Sequence, residues 1–265
     1  MNILDTIIAH KKTEVATAKR TVSIKSLEGS RYFSAPKISL KEYILRDDKS
    51  GIIAEFKRKS PSKGIINETA LVENVTAGYS NAGASALSVL TDTNFFGGTN
   101  EDVLAARQIN TIPILRKDFT IDEYQIIEAK SIGANAILLI AAVLTKAEIK
   151  KFTALAHSIG LEVLLEIHTN EELDKYIPEI SVVGINNRNL KTFEVDFENA
   201  IRLAKSLPTN TVKIAESGIS DYKNIGYLKA QGFDGFLIGE NFMKTENPGQ
   251  SCADFIEKIN KNSHA

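Results

Sequence analysis

Apolar runs and amphipathic stretches alternate along most of this chain. From Gly51 onward, short β-rich runs fall at Ile52 to Phe56, Ala86 to Leu90, Pro113 to Arg116, Ala136 to Ile140, Glu162 to Ile167, Val182 to Asn186, Val212 to Ala215 and Gly235 to Ile238. Between them, Thr69 to Ala82, Asp122 to Ser131, Lys146 to Ile159, Phe197 to Leu207 and Asp221 to Ala230 carry apolar residues at helical spacing. Gly83, Gly133, Gly160 and Gly232 each sit just past such a stretch, where a left-handed cap ends a helix. Strict β-α alternation implies a parallel sheet, and eight units imply a closed one. The predicted fold is therefore α/β, a (β/α)8 TIM barrel.

Met1 to Ser50 stands outside that alternation. It predicts one helix over Ile3 to Lys19, a polar link containing Pro36, and a short helix around Leu40 to Arg46. Fifty residues bury too little apolar surface for an independent core. The expectation is a single domain over residues 1–265, in which residues 1–50 form an N-terminal helical extension capping the barrel.

Composition removes several function classes. With 265 residues, 43% of them hydrophobic and 25% charged, the chain has the profile of a soluble globular protein. A net charge of -1 provides no global field for nucleic acid or acidic lipid, so an anionic ligand must be held locally. Basic residues are scattered without interleaved aromatics, which argues against a nucleic-acid partner. One cysteine, Cys252, excludes an intrachain disulfide and a Cys-based zinc site and suits a reducing compartment. The N-terminal residues mix acids and lysines and lack the apolar core of a signal peptide, and no later run is long enough to span a bilayer. A cytoplasmic protein without membrane partners is expected. With no heptads or apolar surface stripe, a monomer is expected, a weak dimer being the alternative.

Candidate chemistry gathers where the strands end. The stretch GIIAEFKRKSPSKG begins as an apolar strand and then carries Glu55 and Lys57 on one side, with Phe56 and Arg58 on the other. Such charges on a strand buried on both faces are costly unless they serve a site. In barrels of this type the active site lies at the C-terminal strand ends. There the third strand runs into Lys117-Asp118-Phe119, the fifth ends at Glu166, the sixth at Asn186 and Arg188, and the seventh at Glu216-Ser217-Gly218. If their sides face the barrel mouth, two lysines, three glutamates, an arginine and an asparagine converge. The competing structural reading is an ion-pair network plugging the barrel top. Arg58, Lys59 and Lys63 read as loop or outer-face charges, and Asp118, which alternates away from Lys117, as structural.

Glu216-Ser217-Gly218-Ile219 and Ile238-Gly239-Glu240-Asn241 follow the last two strands, the usual phosphate cradle of this fold, and each has a glycine that lets backbone N–H groups approach an oxyanion. Arg188 and Lys57 could add charge. A small phosphorylated molecule is the expected partner. His10, His157, His168 and His264 show no metal-ligand spacing. His10 and His157 fall on predicted helices away from the strand ends, and His168 reads as a rim residue. No GxGxxG, P-loop or HExxH is present, so no cofactor or metal motif can be read.

AEFKRKSPSKG, ILRKDF, LLEIH, GINNRNL, AESGI and FLIGENFM, in this order and on these strands, closely resemble the indole-3-glycerol-phosphate synthase family of tryptophan biosynthesis. The resemblance covers nearly the whole chain, including the helical extension. It implies closure of 1-(2-carboxyphenylamino)-1-deoxyribulose 5-phosphate to indole-3-glycerol phosphate with loss of carbon dioxide and water, a carboxy-lyase reaction without cofactor. It implies Lys117 as general acid, Glu166 as base in the dehydration, and Lys57 holding the substrate carboxylate. Glu55 and Asn186 would orient these groups, and Glu216 and Ser217 would line the pocket. Ser60, Phe119 and Arg188 would complete the substrate contacts, with Gly218 and Gly239 in the phosphate loops. Glu240 stands where some family members carry serine, and its side chain is expected to turn away from the phosphate. The rival readings are a phosphoribosylanthranilate isomerase, which would want an early strand-end cysteine, a Schiff-base aldolase, and a catalytically silent phosphate-binding barrel.

Overall fold

The computed structural model describes residues 3–188 and 195–263. His264 and the end of the GINNRNL motif lie outside the described residues. Eight parallel strands close a barrel: β1 (Ile52–Phe56), β2 (Ala86–Leu90), β3 (Ile114–Lys117), β4 (Ala136–Ile140), β5 (Glu162–Ile167), β6 (Val182–Asn186), β7 (Val212–Glu216) and β8 (Gly235–Ile238). Each pairs with its sequence neighbours, and β8 returns to β1 through Ile52, Ile53 and Ala54. Two strands extend beyond the expectation to Lys117 and Glu216, so both charged side chains stand on strands rather than loops. Pro113 does not begin β3, although its carbonyl still accepts a hydrogen bond from Leu87 N–H.

Side-chain alternation divides the apolar residues into two sets. Ile52, Ala54 and Phe56 of β1 join the large cluster between strands and helices, whereas Ile53, Leu115, Leu164, Val212 and Ile214 fill the barrel interior. Following the inward rows upward, Ile53 leads to Glu55, Leu115 to Lys117, Leu164 to Glu166 and Ile214 to Glu216. The same periodicity that packs the lower barrel therefore delivers charge to its upper mouth.

The N-terminal extension reaches both ends of the barrel. Helix α3 (Leu40–Ile44) puts Leu40 and Ile44 into the interior cluster from below. Burying each such side chain contributes ~1.5–3 kcal/mol. Ser39 caps α3 through Glu42 N–H and also donates its hydroxyl to Glu162 at the start of β5, 2.7 Å away. Helix α1 (Ile3–Thr21) lies at the opposite end, where Ile3, Leu4 and Ile7 border the open mouth. The segment expected to be a polar link contains a further helix, α2 (Ile24–Glu28), capped by Ser23. Five residues are too few to show a helical period, which is why the pattern hides it.

Candidate active site

A pocket of about 380 Å³ opens at the C-terminal ends of the strands. All twelve site residues expected from sequence line it: Glu55, Lys57, Ser60, Lys117, Phe119, Glu166, Asn186, Arg188, Glu216, Ser217, Gly218 and Gly239. At its centre Lys117 Nζ lies 3.2 Å from Glu166 Oε2 and 3.7 Å from Glu216 Oε2. A second pair stands beside it, with Lys57 Nζ donating to Glu55 Oε1 at 2.6 Å. Ser88 donates to the other Glu55 oxygen at 3.3 Å. Asn186 Nδ2 donates to Glu166 Oε1 at 3.3 Å.

These contacts bias the charge states. Burial disfavours the Lys117 ammonium, but Glu166, Glu216 and Glu55 outweigh it and raise its pKa well above the usual lysine range. Burial would raise Glu166, yet Lys117, His168 and Asn186 hold it far below the ordinary carboxylate range. Glu55 is likewise held low, because Lys57 and Lys117 overcome its desolvation. Glu216 moves the other way: burial raises it, the attraction of Lys117 is insufficient, and the charges on Glu166 and Glu55 add to the rise. Its Oε1 is buried without a hydrogen-bond partner among the described residues. Two ionised carboxylates thus flank a carboxyl group that favours the neutral form.

Glycines shape both ends of this arrangement. A Cβ on Gly239 would stand 2.7 Å from Glu55 Oε1, so only glycine allows that loop to approach the Glu55 side chain. Ser217 has φ 68° and Gly218 φ 74°, and Ser217 is the one non-glycine residue with positive φ among the described residues. Such a strained position at a strand end marks a site held by its surroundings. Asn187 does part of the holding, donating to the Ser217 carbonyl at 2.8 Å. The Glu240 side chain reaches toward Lys63, 3.7 Å away.

Part of the pocket wall is apolar. Phe96 and Phe119 meet with ring centroids 6.0 Å apart, and Leu138, Ile140, Leu237 and the three α1 residues complete the wall. Ser60 comes from a two-residue ribbon, Lys59–Ser60 paired with Gly64–Ile65, which follows β1. A flat aromatic group fits the apolar side, and an anion fits the glycine turns.

Several charges serve the frame. Arg58 makes a two-pronged pair with Asp102 at 2.7 and 2.8 Å and stacks on Phe56. It is half-buried rather than solvated. Asp118 accepts from Lys11 at 2.9 Å and from Thr91 at 2.7 Å, tying α1 to the barrel. Two histidine expectations need correction. His10 is not remote from the strand ends, since α1 lies over them and places its ring 2.8 Å from Asn94 Nδ2. His168 is not a rim residue: it is buried beside Glu166 because the inward alternation of β5 continues one step past the strand. Among the described residues no group of three or more His, Cys, Asp or Glu side chains could hold a metal ion.

A family model described as indole-3-glycerol phosphate synthase matches residues 4–255. The chain belongs to the indole-3-glycerol phosphate synthase family. An indole-3-glycerol phosphate synthase of Bacteroides thetaiotaomicron is 51% identical over 259 residues, covering 97% of this chain and 99% of that protein. Another, of Neisseria gonorrhoeae, is 41% identical over 252 residues, covering 94% and 96%. Among solved structures, the tryptophan synthase complex of Pyrococcus furiosus superposes with a TM-score of 0.60 at 16% identity, covering 81% of this chain and 99% of that one. That similarity concerns the barrel alone. Within the synthase family frame, sequence reasoning missed Lys11, Gly184, His168 and Asn187 as parts of the site's support. The Lys11 signal was legible, because Ile7, Lys11 and Val15 share one helix face at four-residue spacing.

Proposed function

We propose that this protein converts 1-(2-carboxyphenylamino)-1-deoxyribulose 5-phosphate to indole-3-glycerol phosphate, as a carboxy-lyase of the synthase family. The observation that carries the reading is the Lys117 ammonium held between Glu166 and Glu216 in a pocket with one apolar and one glycine-lined side. The substrate carboxylate faces Lys57, its ring the Phe96 and Phe119 side, and its phosphate the Gly218 and Gly239 turns near Arg188. Ser60 and Ser217 complete the polar contacts.

In this geometry the anthranilate ring carbon bearing the carboxylate attacks the ribulose carbonyl, and Lys117 gives its proton to the developing alkoxide. The carboxylate leaves as carbon dioxide, and its bonding electrons restore the aromatic ring. An ammonium of the Lys57 and Lys117 pair then protonates the new hydroxyl, which departs as water. Glu166 takes a proton from the carbon beside the nitrogen, completing the second ring double bond. That proton lies one contact from Lys117, whose Nζ is 3.2 Å from Glu166, so it reloads the acid. The other proton comes from solvent, matching the negative charge lost with the carboxylate. An amine held so firmly protonated is a poor nucleophile, which favours this route over a Schiff-base aldolase.

We further place the activity in one functional unit spanning residues 1–265, acting as a cytoplasmic monomer. Among the described residues no helix is long and apolar enough to cross a membrane. The test is stoichiometry: purified protein and the carboxyphenylamino substrate should give one carbon dioxide per fluorescent indole product. Indole product without carbon dioxide, or neither, contradicts the reading.

A further inference from the structure

His168 occupies a position that the reaction above does not use. It follows β5, is 8% exposed, and does not line the pocket, yet its Nε2 lies 3.2 Å from Glu166 Oε1. On its other side, Nδ1 lies 3.1 Å from Glu172 Oε2, and the same oxygen accepts the His168 backbone N–H at 2.8 Å. Glu172 is itself fixed, because Thr169 caps its short helix by accepting Glu172 N–H. Asn199 Nδ2 donates to the His168 carbonyl at 3.2 Å, so the main chain is held as well.

We infer that His168 is a positioning residue for Glu166: clamped as an imidazolium between Glu166 and Glu172, it fixes one oxygen of the base and supplies a positive charge that survives proton transfer by Lys117.

The two carboxylates beside the ring favour the imidazolium. A neutral imidazole has one bare ring nitrogen, and either choice here would leave that lone pair within about 3.2 Å of a carboxylate oxygen. With a carboxylate oxygen 3.1–3.2 Å from each nitrogen, charge favours the form in which both carry hydrogen. Burial lowers the histidine pKa, but Glu166 and Glu172 outweigh it and push it up to about 10. The charged groups facing the ring are Glu166 on its own strand, Glu172 on the following helix and, at longer range, Glu216 on β7, while Lys117 lies beyond Glu166. The Nε2 contact is ionic rather than directed, since Nε2 forms no hydrogen bond of good geometry.

The consequence follows from the order of events in the proposed reaction, on which this inference rests. While Lys117 is protonated, Glu166 has two cations beside it. Once Lys117 has given its proton to substrate, a buried Glu166 carboxylate without another positive neighbour would be strongly destabilised and would recapture a proton before it could act as base. His168 prevents this because its charge takes no part in the turnover. It also divides the carboxylate: Oε1 is held by Asn186 and His168, and Oε2 faces Lys117 and the reacting groups.

The test compares wild type with His168→Gln and Glu172→Gln by the pH profile of kcat. In His168→Gln the cation is lost, so the acid limb moves upward by about one pH unit or more. kcat at neutral pH falls about tenfold, with KM within about twofold. A merely structural role would lower kcat without moving the acid limb, and that result overturns the inference. Should His168→Gln not fold, imidazole titration by NMR carries the test in wild type and Glu172→Gln, with only four histidines to assign. His168 should remain protonated through pH 8 in wild type and titrate lower in Glu172→Gln. A neutral His168 at pH 8 in wild type overturns the inference. Wild type that turns over normally while the acid limb stays fixed refutes this inference alone, and wild type without turnover refutes the parent reading and with it this one.

Discussion

Gly184 on β6 provides the space that the Glu216 carboxyl on β7 occupies. A Cβ at Gly184 would overlap Glu216 Oε1 and press within 2.8 Å of Leu164 Cδ2. A glycine inside a strand weakens it, and here the vacancy is filled by a buried acid that favours its neutral form. Gly184→Ala should therefore displace Glu216 from beside Lys117. The expected outcome is a drop in kcat of at least about tenfold, accompanied by a destabilisation of ~1–3 kcal/mol from overpacking. Steady-state kinetics and urea unfolding check the two parts separately.

Lys11 joins the helical extension to the site. Its side chain is fully buried, with Nζ 2.9 Å from Asp118, 3.0 Å from Asp92 and 2.9 Å from Glu14. In Lys11→Met the buried Asp92 would lose its ion pair, while Asp118 would keep Arg116 at 3.2 Å, which should cost about 3–5 kcal/mol. Because α1 also carries Ile3, Leu4 and Ile7 into the pocket wall, KM should rise in the same variant. Unfolding free energy and KM measured on one preparation test the linkage. An unchanged KM would separate the helix from substrate binding.

Glu162 gives the lower end of the barrel a pH signature. Burial raises its pKa, but Ser39, the Lys41 backbone N–H and Lys37 together hold it below the ordinary carboxylate value. A depressed folded-state pKa contributes stability above the unfolded value near 4.5, and that contribution is lost as pH falls through the folded value. Glu162→Gln should be less stable than wild type by ~1–3 kcal/mol at pH 7, with the gap narrowing below about pH 4. Urea denaturation at both pH values measures the gap.

Gly239 offers a test of the proposed phosphate site. Since a Cβ there would crowd Glu55 Oε1 and Cβ, Gly239→Ala must shift either the loop or the carboxylate. Competitive inhibition by inorganic phosphate should weaken at least about fivefold, because the backbone N–H groups lose their alignment. Phosphate inhibition constants for wild type and variant decide this.

The barrel was legible because most strands are short, largely apolar runs bounded by helical periodicity, and because Glu55, Lys117, Glu166 and Glu216 place charge at or near the C-terminal strand ends. Alternation put Glu55 with Lys57 and Lys117 with Phe119 but left open whether those sides face the mouth, which the closed barrel decides. Residues that act at one remove were less visible. His168 reads as a rim residue until the helix after β5 is seen to fold Glu172 back over it. Gly184 resembles any glycine in a strand, since its meaning lies in the neighbouring strand's side chain. The extension was expected to cap the barrel, but that α1 and α3 lie at opposite ends requires the path between them. The positive φ of Ser217 has no sequence signal, because serine there is held by tertiary contacts such as that from Asn187.

The most direct test of the central claim is indole formation followed by fluorescence for wild type, Lys117→Ala and Glu166→Gln side by side, with folding checked by circular dichroism. Lys117 as acid and Glu166 as base require product from wild type and a loss of turnover of at least about a thousandfold in both folded variants. A folded Lys117→Ala variant that retains wild-type turnover would contradict the account at its centre.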